Sequence, residues 1–228
     1  MNTTEVAADY WEKMFSSRTW GAYPPEELVR FIARNFRSAS VKSDIRVLEV
    51  GCGPGPNIWY LVREGYTVSG IDGSETAIRQ ACVRLMQERL PYEMPRVDLR
   101  AGNFVTLPWV DESFDAIIDI EALYANSMGS IRASIGEIWR TLKPGGRFFG
   151  KMFGDQSTGS RSGVMIEPGT MHRPEVGPCA GNEIAHFFSR EEFNDLFTGF
   201  HDLCIDHTCR TDRNGEIKIF EWLISARK

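Results

Sequence analysis

The sequence predicts an α/β fold: a mostly parallel sheet with helices on both faces and an antiparallel hairpin at the end. Two observations lead to this prediction. Between residues 45 and 153, short apolar β-rich runs alternate with segments of helical spacing, an order that places strands side by side in parallel. Further along, the pair Asn214-Gly215 separates two apolar runs, which is a strong signal for a hairpin turn.

Local signals mark where the individual elements begin and end. Gly65 closes the first helix after the glycine-rich turn, and Ser74 is a natural N-cap for the second. Ser189 with Glu192 three residues later predicts a capping box and a short helix that ends at Gly199. The predicted strands are 45–50, 66–72, 96–102, 114–121 and 147–153, followed by the hairpin; the predicted helices are 56–65, 74–90, 130–142 and 189–199.

Composition limits the classes of function. A chain of 228 residues suits one domain, and its net charge of −5 argues against a dedicated nucleic-acid binder. An unbroken apolar run near 18 residues is missing, which predicts no membrane span, and the N-terminus lacks the pattern of a signal peptide. Five cysteines without CxxC spacing predict reduced thiols, a cytoplasmic protein and no metal site. We expect a monomer or a homodimer.

The stretch LEVGCGPGP places Gly51, Gly53 and Gly55 between the first strand and the first helix. Open α/β sheets bind their ligands at this point, and glycine allows the backbone to turn sharply and approach a ligand closely. The dinucleotide fingerprint GxGxxG requires glycine at position 56, where this chain has Pro56. The pattern is therefore GxGxG, led by Glu49, and it disfavours a nicotinamide-dependent dehydrogenase.

Four segments in order carry a resemblance to a known family. EVGCGPG, the acid Asp72 at the end of the second strand, AGNFVTLPWVDESFDAIIDIEALYA and LKPGGRFF together resemble the class I S-adenosylmethionine-dependent methyltransferases. The resemblance covers about residues 45 to 153. It implies a Rossmann-like, doubly wound sheet of seven strands, with S-adenosyl-L-methionine (SAM) as cofactor and S-adenosyl-L-homocysteine (SAH) as product.

The resemblance also implies roles for individual residues. The three glycines pass close to the methionine and ribose, and Asp72 accepts the ribose hydroxyls, although it is alternatively a helix-flanking acid. Asn103 stands where the family often has an aspartate facing the adenine; the alternative is a capped turn. The cofactor-binding residues expected in the core are Gly51, Gly53, Gly55, Asp72, Gly73, Ser74, Asn103, Phe104 and the backbone near Asp119.

The N-terminal segment is unusually aromatic. Trp11 and Trp20, together with Tyr10 and Tyr23, are candidates for a lid over the sulfonium, which aromatic faces attract. Arg18 is a candidate partner for the methionine carboxylate. For any one of these residues, packing of an amphipathic helix on the sheet is the alternative.

Residues 154–186 are rich in Gly, Pro and polar side chains, which predicts a long loop over the methyl-acceptor pocket. His172 and His186 in this loop are candidate general bases, or they are structural. Glu121, the last residue of the fourth predicted strand, is a further catalytic candidate: it faces the substrate or caps the next helix. Methyl transfer also proceeds by positioning alone, without a dedicated base.

The sequence therefore predicts one domain: a helical lid (1–44), a cofactor-binding core (45–153), an acceptor-site loop (154–188), and a helix with the terminal hairpin (189–228). The expected function is methyl transfer from SAM to an oxygen or nitrogen of a small molecule, such as a sugar, sugar nucleotide or secondary metabolite. The alternative is a non-catalytic SAM-binding module that acts through a partner.

Overall fold

The computed structural model describes residues 3–18, 20–93 and 95–228. Six helices and ten strands lie within these residues. The helices are α1 (Thr3–Ser17), α2 (Glu26–Phe36), α3 (Pro56–Glu64), α4 (Glu75–Gln87), α5 (Met128–Thr141) and α6 (Glu192–Leu196); the strands are β1 (Arg46–Val50), β2 (Thr67–Asp72), β3 (Val97–Ala101), β4 (Phe114–Ile120), β5 (Leu142–Phe153), β6 (Val164–Glu167), β7 (Thr170–His172), β8 (Ile184–His186), β9 (His201–Asp212) and β10 (Ile217–Arg227).

The main sheet has seven strands in the order β3-β2-β1-β4-β5-β10-β9. The first five are parallel, and β10 pairs antiparallel with both β5 and β9. After β1 the chain builds the sheet first to one side and then to the other, so β1 lies at the point where the strand order reverses. Val50, the last residue of β1, pairs with Ile71 on one side and Asp119 on the other. The carboxyl ends of three strands therefore meet there, where sheets of this kind bind ligands.

Helices cover both faces of the sheet, as predicted. Neighbouring strand residues point to opposite faces: Ile117 packs in a core cluster with α5 and α6, whereas Ile118 packs in a second cluster with α2 and α3. Both isoleucines are completely buried. Burial on both sides of the central strands explains their nearly continuous apolar sequence.

The terminal hairpin is also confirmed. Asn214 and Gly215 have φ values of +56° and +93°, between β9 and β10. The preceding helix α6 is shorter than predicted and begins at Glu192. The Glu192 carboxylate accepts the Ser189 backbone N–H at 2.7 Å, but the Ser189 hydroxyl donates to the same carboxylate. The serine thus does not cap the helix N-terminus in the predicted way.

Residues 154–188 differ from the predicted loop. They contain β6, β7 and β8, which form a separate three-stranded antiparallel sheet. Each strand is only three or four residues long, and glycines with positive φ, such as Gly169, lie between them. Strands this short leave no clear pattern in a sequence whose composition otherwise favours turns. Over the part of the chain that the structure describes, no helix combines the length and apolarity needed to cross a bilayer.

Candidate active site

A cavity of about 560 Å³ opens at the carboxyl edge of the sheet. It brings together parts of α1, the connection before α2, the glycine turn after β1, and the residues that follow β2, β3 and β4. Ten residues predicted from the sequence line it: Trp11, Trp20, Tyr23, Gly51, Gly53, Asp72, Gly73, Asn103, Phe104 and Glu121. Its volume is in the usual range for small-molecule sites.

The glycine turn forms the floor of this cavity. Gly51 has φ +66°, and a Cβ there would lie 2.1 Å from the Ala122 Cβ, too close for any side chain. Gly53 lies against the ring of Phe15 in α1. Gly55 does not line the cavity: it is the N-cap of α3, and a Cβ would lie 2.8 Å from the Ala81 Cβ of α4. Gly51 thus allows Ala122 to approach the turn, Gly53 keeps the cavity floor free of a side chain, and Gly55 allows two helices to approach closely.

Asp72 fixes the shape of the neighbouring loop. Its Oδ2 accepts the Gly53 N–H at 2.8 Å, and its Oδ1 accepts the Ser74 N–H at 2.9 Å. Burial raises the pKa of Asp72, partly offset by these two bonds. Each carboxylate oxygen retains further acceptor capacity, so Asp72 is able to receive two hydroxyl groups from a ligand in the cavity.

Glu49 also lines the cavity, and the sequence analysis gave it no role. Its Oε1 accepts Asn57 Nδ2 at 2.6 Å, whereas its Oε2 is buried without a hydrogen-bond partner among the described residues. Burial raises the pKa of Glu49 well above the usual value. A buried carboxyl with one unused oxygen is a receptor for a ligand's hydrogen-bond donor or cation. The signal in the sequence was an acid two residues before the first glycine of the pattern.

Besides Gly55, three predicted cofactor residues lie outside the cavity lining: Asp119, Ser74 and Arg18. Asp119 is completely buried; its Oδ1 accepts the N–H groups of Ala122 and Leu123, each at 3.0 Å, and burial raises its pKa to about 7. It therefore shapes the turn after β4. Ser74, also buried, caps α4 as predicted by accepting the Ala77 N–H. Arg18 is exposed and outside the lining.

Helix α1 closes one side of the cavity. The carboxylate of Glu12 accepts hydrogen bonds from the hydroxyls of Ser74 and Thr76 at the start of α4. Trp11 stacks on Phe15, and Trp20 contacts both rings edge-on. The aromatic cluster predicted from the N-terminal segment thus lies over the glycine turn.

Glu121 is the one predicted catalytic candidate that lines the cavity. Its φ of +58° is in the left-handed region, and its backbone N–H donates to the Lys151 carbonyl at 2.9 Å. The Lys151 ammonium lies 3.2 Å from Glu121 Oε1 and 3.2 Å from Glu221 Oε2. One cation on β5 therefore joins carboxylates from the end of β4 and the middle of β10.

The two histidines lie outside the cavity lining. His186 is completely buried; its Nδ1 is 2.7 Å from the Thr170 hydroxyl, and its Nε2 is 3.3 Å from Glu192 Oε1. His172 pairs with Glu183 at 2.9 Å. Both rings are engaged by Thr170, Glu183 and Glu192, none of which lines the cavity, so the geometry does not bring the histidines there as bases.

A family model described as a methyltransferase domain matches residues 47–146, the part of the chain that builds the cavity floor. This central part of the chain is therefore similar to a methyltransferase domain. A curated relative, a phthiotriol/phenolphthiotriol dimycocerosates methyltransferase of Mycobacterium tuberculosis, is 35% identical over 105 residues, which are 45% of this chain and 36% of the relative. The matched part thus spans about a third of that relative's length.

Solved methyltransferase structures share the fold. A SAM-dependent methyltransferase from Methanosarcina mazei superposes with a TM-score of 0.69 at 26% identity, over 85% of this chain and 97% of that one. The 1,6-didemethyltoxoflavin-N1-methyltransferase of Burkholderia thailandensis, solved with its substrate and SAH, gives a TM-score of 0.64 at 17% identity, over 100% of this chain and 91% of that one. The second likeness concerns the fold alone.

A chain of hydrogen bonds links α1, the segment 154–188 and the cavity lining. The Tyr10 hydroxyl of α1 donates to Asn182 Oδ1 at 3.1 Å, and Asn182 Nδ2 donates to the Tyr124 hydroxyl at 2.8 Å. Tyr124 lines the cavity. The segment 154–188, which was predicted to lie over the acceptor pocket, thus contacts the cavity wall through Asn182, but none of its residues line the cavity.

Proposed function

We propose that this chain is a SAM-dependent methyltransferase that acts on an oxygen or nitrogen atom of a small molecule. The observation that carries the proposal is the single cavity in which the glycine turn, Asp72 and Glu121 meet. One side of that cavity has the features needed to bind the donor, and the other presents a carboxylate to an acceptor.

The residues present fit SAM. The buried, unpartnered Glu49 Oε2 is suited to the methionine ammonium, and Asp72 is suited to the ribose hydroxyls. Asn103 and Phe104 line the part expected to face the adenine, although Asn103 Oδ1 already accepts the Val105 N–H at 2.9 Å. SAM, when bound, supplies an electrophilic methyl group on a sulfonium. Trp11, Phe15 and Trp20 would exclude water there and attract the positive charge.

A small acceptor is supported by the closure of the cavity by α1 and by the net charge of −5. The charge disfavours nucleic acid as a partner. We also propose a cytoplasmic monomer or homodimer, in keeping with cysteines that are free in the structure. The match to a methyltransferase model removes the reason to consider a nicotinamide-dependent dehydrogenase.

The alternative is a SAM-binding module without catalysis. Such a module would retain the glycine turn and Asp72 but would not need a carboxylate on the acceptor side. The position of Glu121 in the cavity lining therefore favours the enzyme.

Calorimetric titration tests donor binding. We expect SAM and SAH to bind and NADH not to bind; absence of SAH binding to the folded chain would refute the proposal. A library of hydroxyl and amine compounds, incubated with SAM and screened for products heavier by one methylene, then separates the enzyme from the module.

A further inference from the structure

We infer that Glu121 takes the proton of the methyl acceptor, that Lys151 and Glu221 position it, and that the acceptor therefore carries a hydroxyl or an N–H at the atom that is methylated. This inference rests on the proposed function and adds to it a mechanism, two positioning residues and a restriction on the substrate.

The first argument is the cost of the charge cluster. Lys151 is 7% exposed and Glu221 is completely buried. The Lys151 ammonium lies 3.2 Å from each carboxylate, yet neither oxygen of Glu221 makes a hydrogen bond of good geometry among the described residues. Removing such charges from water costs several kcal/mol per ion in general. Apolar residues at this position of the sheet would pack at lower cost, so the cluster indicates a functional site.

The second argument is the placement of Glu121. Its side chain is 34% exposed and lines the cavity, whereas Lys151 and Glu221 lie behind it. A non-glycine residue with φ +58° adopts a sparsely populated conformation, which is retained mainly where the surrounding structure requires it. Here the bond from the Glu121 N–H to the Lys151 carbonyl fixes that conformation. The same strand, β5, thus holds both the backbone and the carboxylate of Glu121.

Glu221 supplies the third argument. Burial and the neighbouring Glu121 raise the pKa of Glu221 to about 7, against the opposing effect of Lys151. The other titratable groups that face the cluster are Glu27 opposite Lys151, and Cys179, Tyr124 and Asp119 near Glu121. When Glu221 is protonated, Lys151 pairs with Glu121 alone; when Glu221 ionises, two carboxylates share one cation. The strength with which Lys151 holds Glu121 therefore changes near neutral pH.

The proposed step balances without a further reagent. The acceptor's lone pair forms a bond to the methyl carbon while the bond between that carbon and sulfur breaks. The electron pair of the broken bond remains on sulfur in SAH. The acceptor's proton moves to a carboxylate oxygen of Glu121 and then to solvent through the open cavity. An acceptor without a proton on the attacking atom, such as a tertiary amine or a thioether, gains nothing from this arrangement.

The first experiment needs no acceptor. SAH binding is measured for the wild type, Lys151→Met, Lys151→Arg and the control Lys143→Met; Lys143 lies on the same strand and pairs with Asp115 at 2.8 Å, away from the cavity. We expect all four to bind SAH within about threefold, because no variant alters the donor side. Failure of the wild type to bind would refute the proposed function rather than this inference.

The same proteins, with SAH and with ¹³Cδ-labelled glutamate, are then titrated by NMR. The Glu221 carboxyl resonance is identified as the one that is missing in Glu221→Gln. It should titrate near pH 7 in the wild type and in Lys143→Met. Loss of the cation should raise its midpoint by about one unit or more in Lys151→Met, and Lys151→Arg should restore it. A midpoint near the ordinary value of 4.5, or an equal shift in Lys143→Met, would overturn the inference.

Turnover of each acceptor found in the screen completes the test. We expect Glu121→Gln to lower kcat by roughly 100-fold, the usual effect of losing a general base, with little change in KM. Lys151→Met should lower kcat and displace the pH–rate profile, and Lys151→Arg should recover both. Efficient turnover of acceptors that lack a proton on the methylated atom would contradict the inference.

Discussion

The two halves of the cavity, which we propose bind the methyl donor (the donor half) and the methyl acceptor (the acceptor half), are built in different ways. In the donor half, the glycine turn and Asp72 are held by backbone geometry, and the Asp72 carboxylate accepts two backbone N–H groups. In the acceptor half, the shape depends on charged side chains, with Lys151 between Glu121 and Glu221. A site made from backbone tolerates few substitutions. One made from side chains can change its substrate by single replacements, since the strands beneath it remain the same.

Gly51→Ala is the change expected to damage the donor half most. The new Cβ would lie 2.1 Å from the Ala122 Cβ, at φ +66°. Steric overlap and left-handed strain together should cost about 2–4 kcal/mol of unfolding free energy and abolish detectable SAH binding. Denaturant unfolding and calorimetry measure both effects.

Two further variants show whether steric overlap with Ala122 causes the loss. Gly136→Ala in α5 has nothing within 4 Å of the new Cβ and should not weaken the protein or its SAH affinity. Gly51→Ala combined with Ala122→Gly should recover the steric part and leave the strain. If the double variant is as unstable as the single one, contact with Ala122 is not the cause.

Asp72→Ala should have the next largest effect. Loss of charge-assisted bonds is expected to weaken SAH binding by about 2–3 kcal/mol, or roughly 30- to 150-fold in Kd, measured by calorimetry. The matched control is Asp115→Ala. Asp115 lies at the opposite edge of the sheet, where its carboxylate accepts the Arg46 N–H at 2.8 Å. An equal loss for 2′,3′-dideoxy-SAH would mean that Asp72 only shapes the loop.

Glu12→Gln should act more weakly. In the wild type, the Glu12 carboxylate joins α1 to Ser74 and Thr76. These bonds lower the pKa of Glu12. The contact is therefore fully present above the ordinary pKa of 4.5 and is lost as the pH falls through the lowered pKa. We expect SAH affinity to fall about 3- to 10-fold through faster dissociation, with less hydrogen-exchange protection in α1. Glu75→Gln, exposed in the first turn of α4, should leave both unchanged.

His186→Ala should have the smallest effect on SAH binding, because we expect the affinity to remain unchanged. The loss of a buried ring and of its contact with Thr170 should lower the unfolding free energy by about 1–3 kcal/mol. His207→Ala on exposed β9 is the control for stability. A fall in turnover without a fall in melting temperature would instead support a catalytic role.

The donor half was largely predictable because its signals are local. Glycines, a strand-ending acid and the Ser74 cap are each recognisable within a few residues, and they imply the parallel sheet. The acceptor half was not predictable in this way. Lys151 and Glu221 occupy ordinary strand positions. The pairing of β4 with β5 brings Lys151 to Glu121, and the pairing of β5 with β10 brings Glu221, each from a distant position in the sequence.

The second sheet shows a different limit. Residues 154–188 were expected to be a loop, because the segment contains more turn-forming residues than residues in its short strands. His186 is in this sheet with Thr170 as its cross-strand partner, a pairing that no sequence periodicity indicates. Histidine in a polar segment suggested a base, whereas long-range pairing made it part of the packing.

The position of β10 between β5 and β9 also has a consequence for the order of folding. The strands of the donor half are close in sequence, so their contacts form at low cost in chain entropy, whereas β10 must return from a distance to pair with β5. Until it does, β5 remains an open sheet edge and Lys151 has a single carboxylate neighbour on the sheet. Folding intermediates that lack this last pairing would contain the glycine turn and Asp72 without the finished charge cluster, and their unpaired β5 would be the surface most exposed to association with other chains.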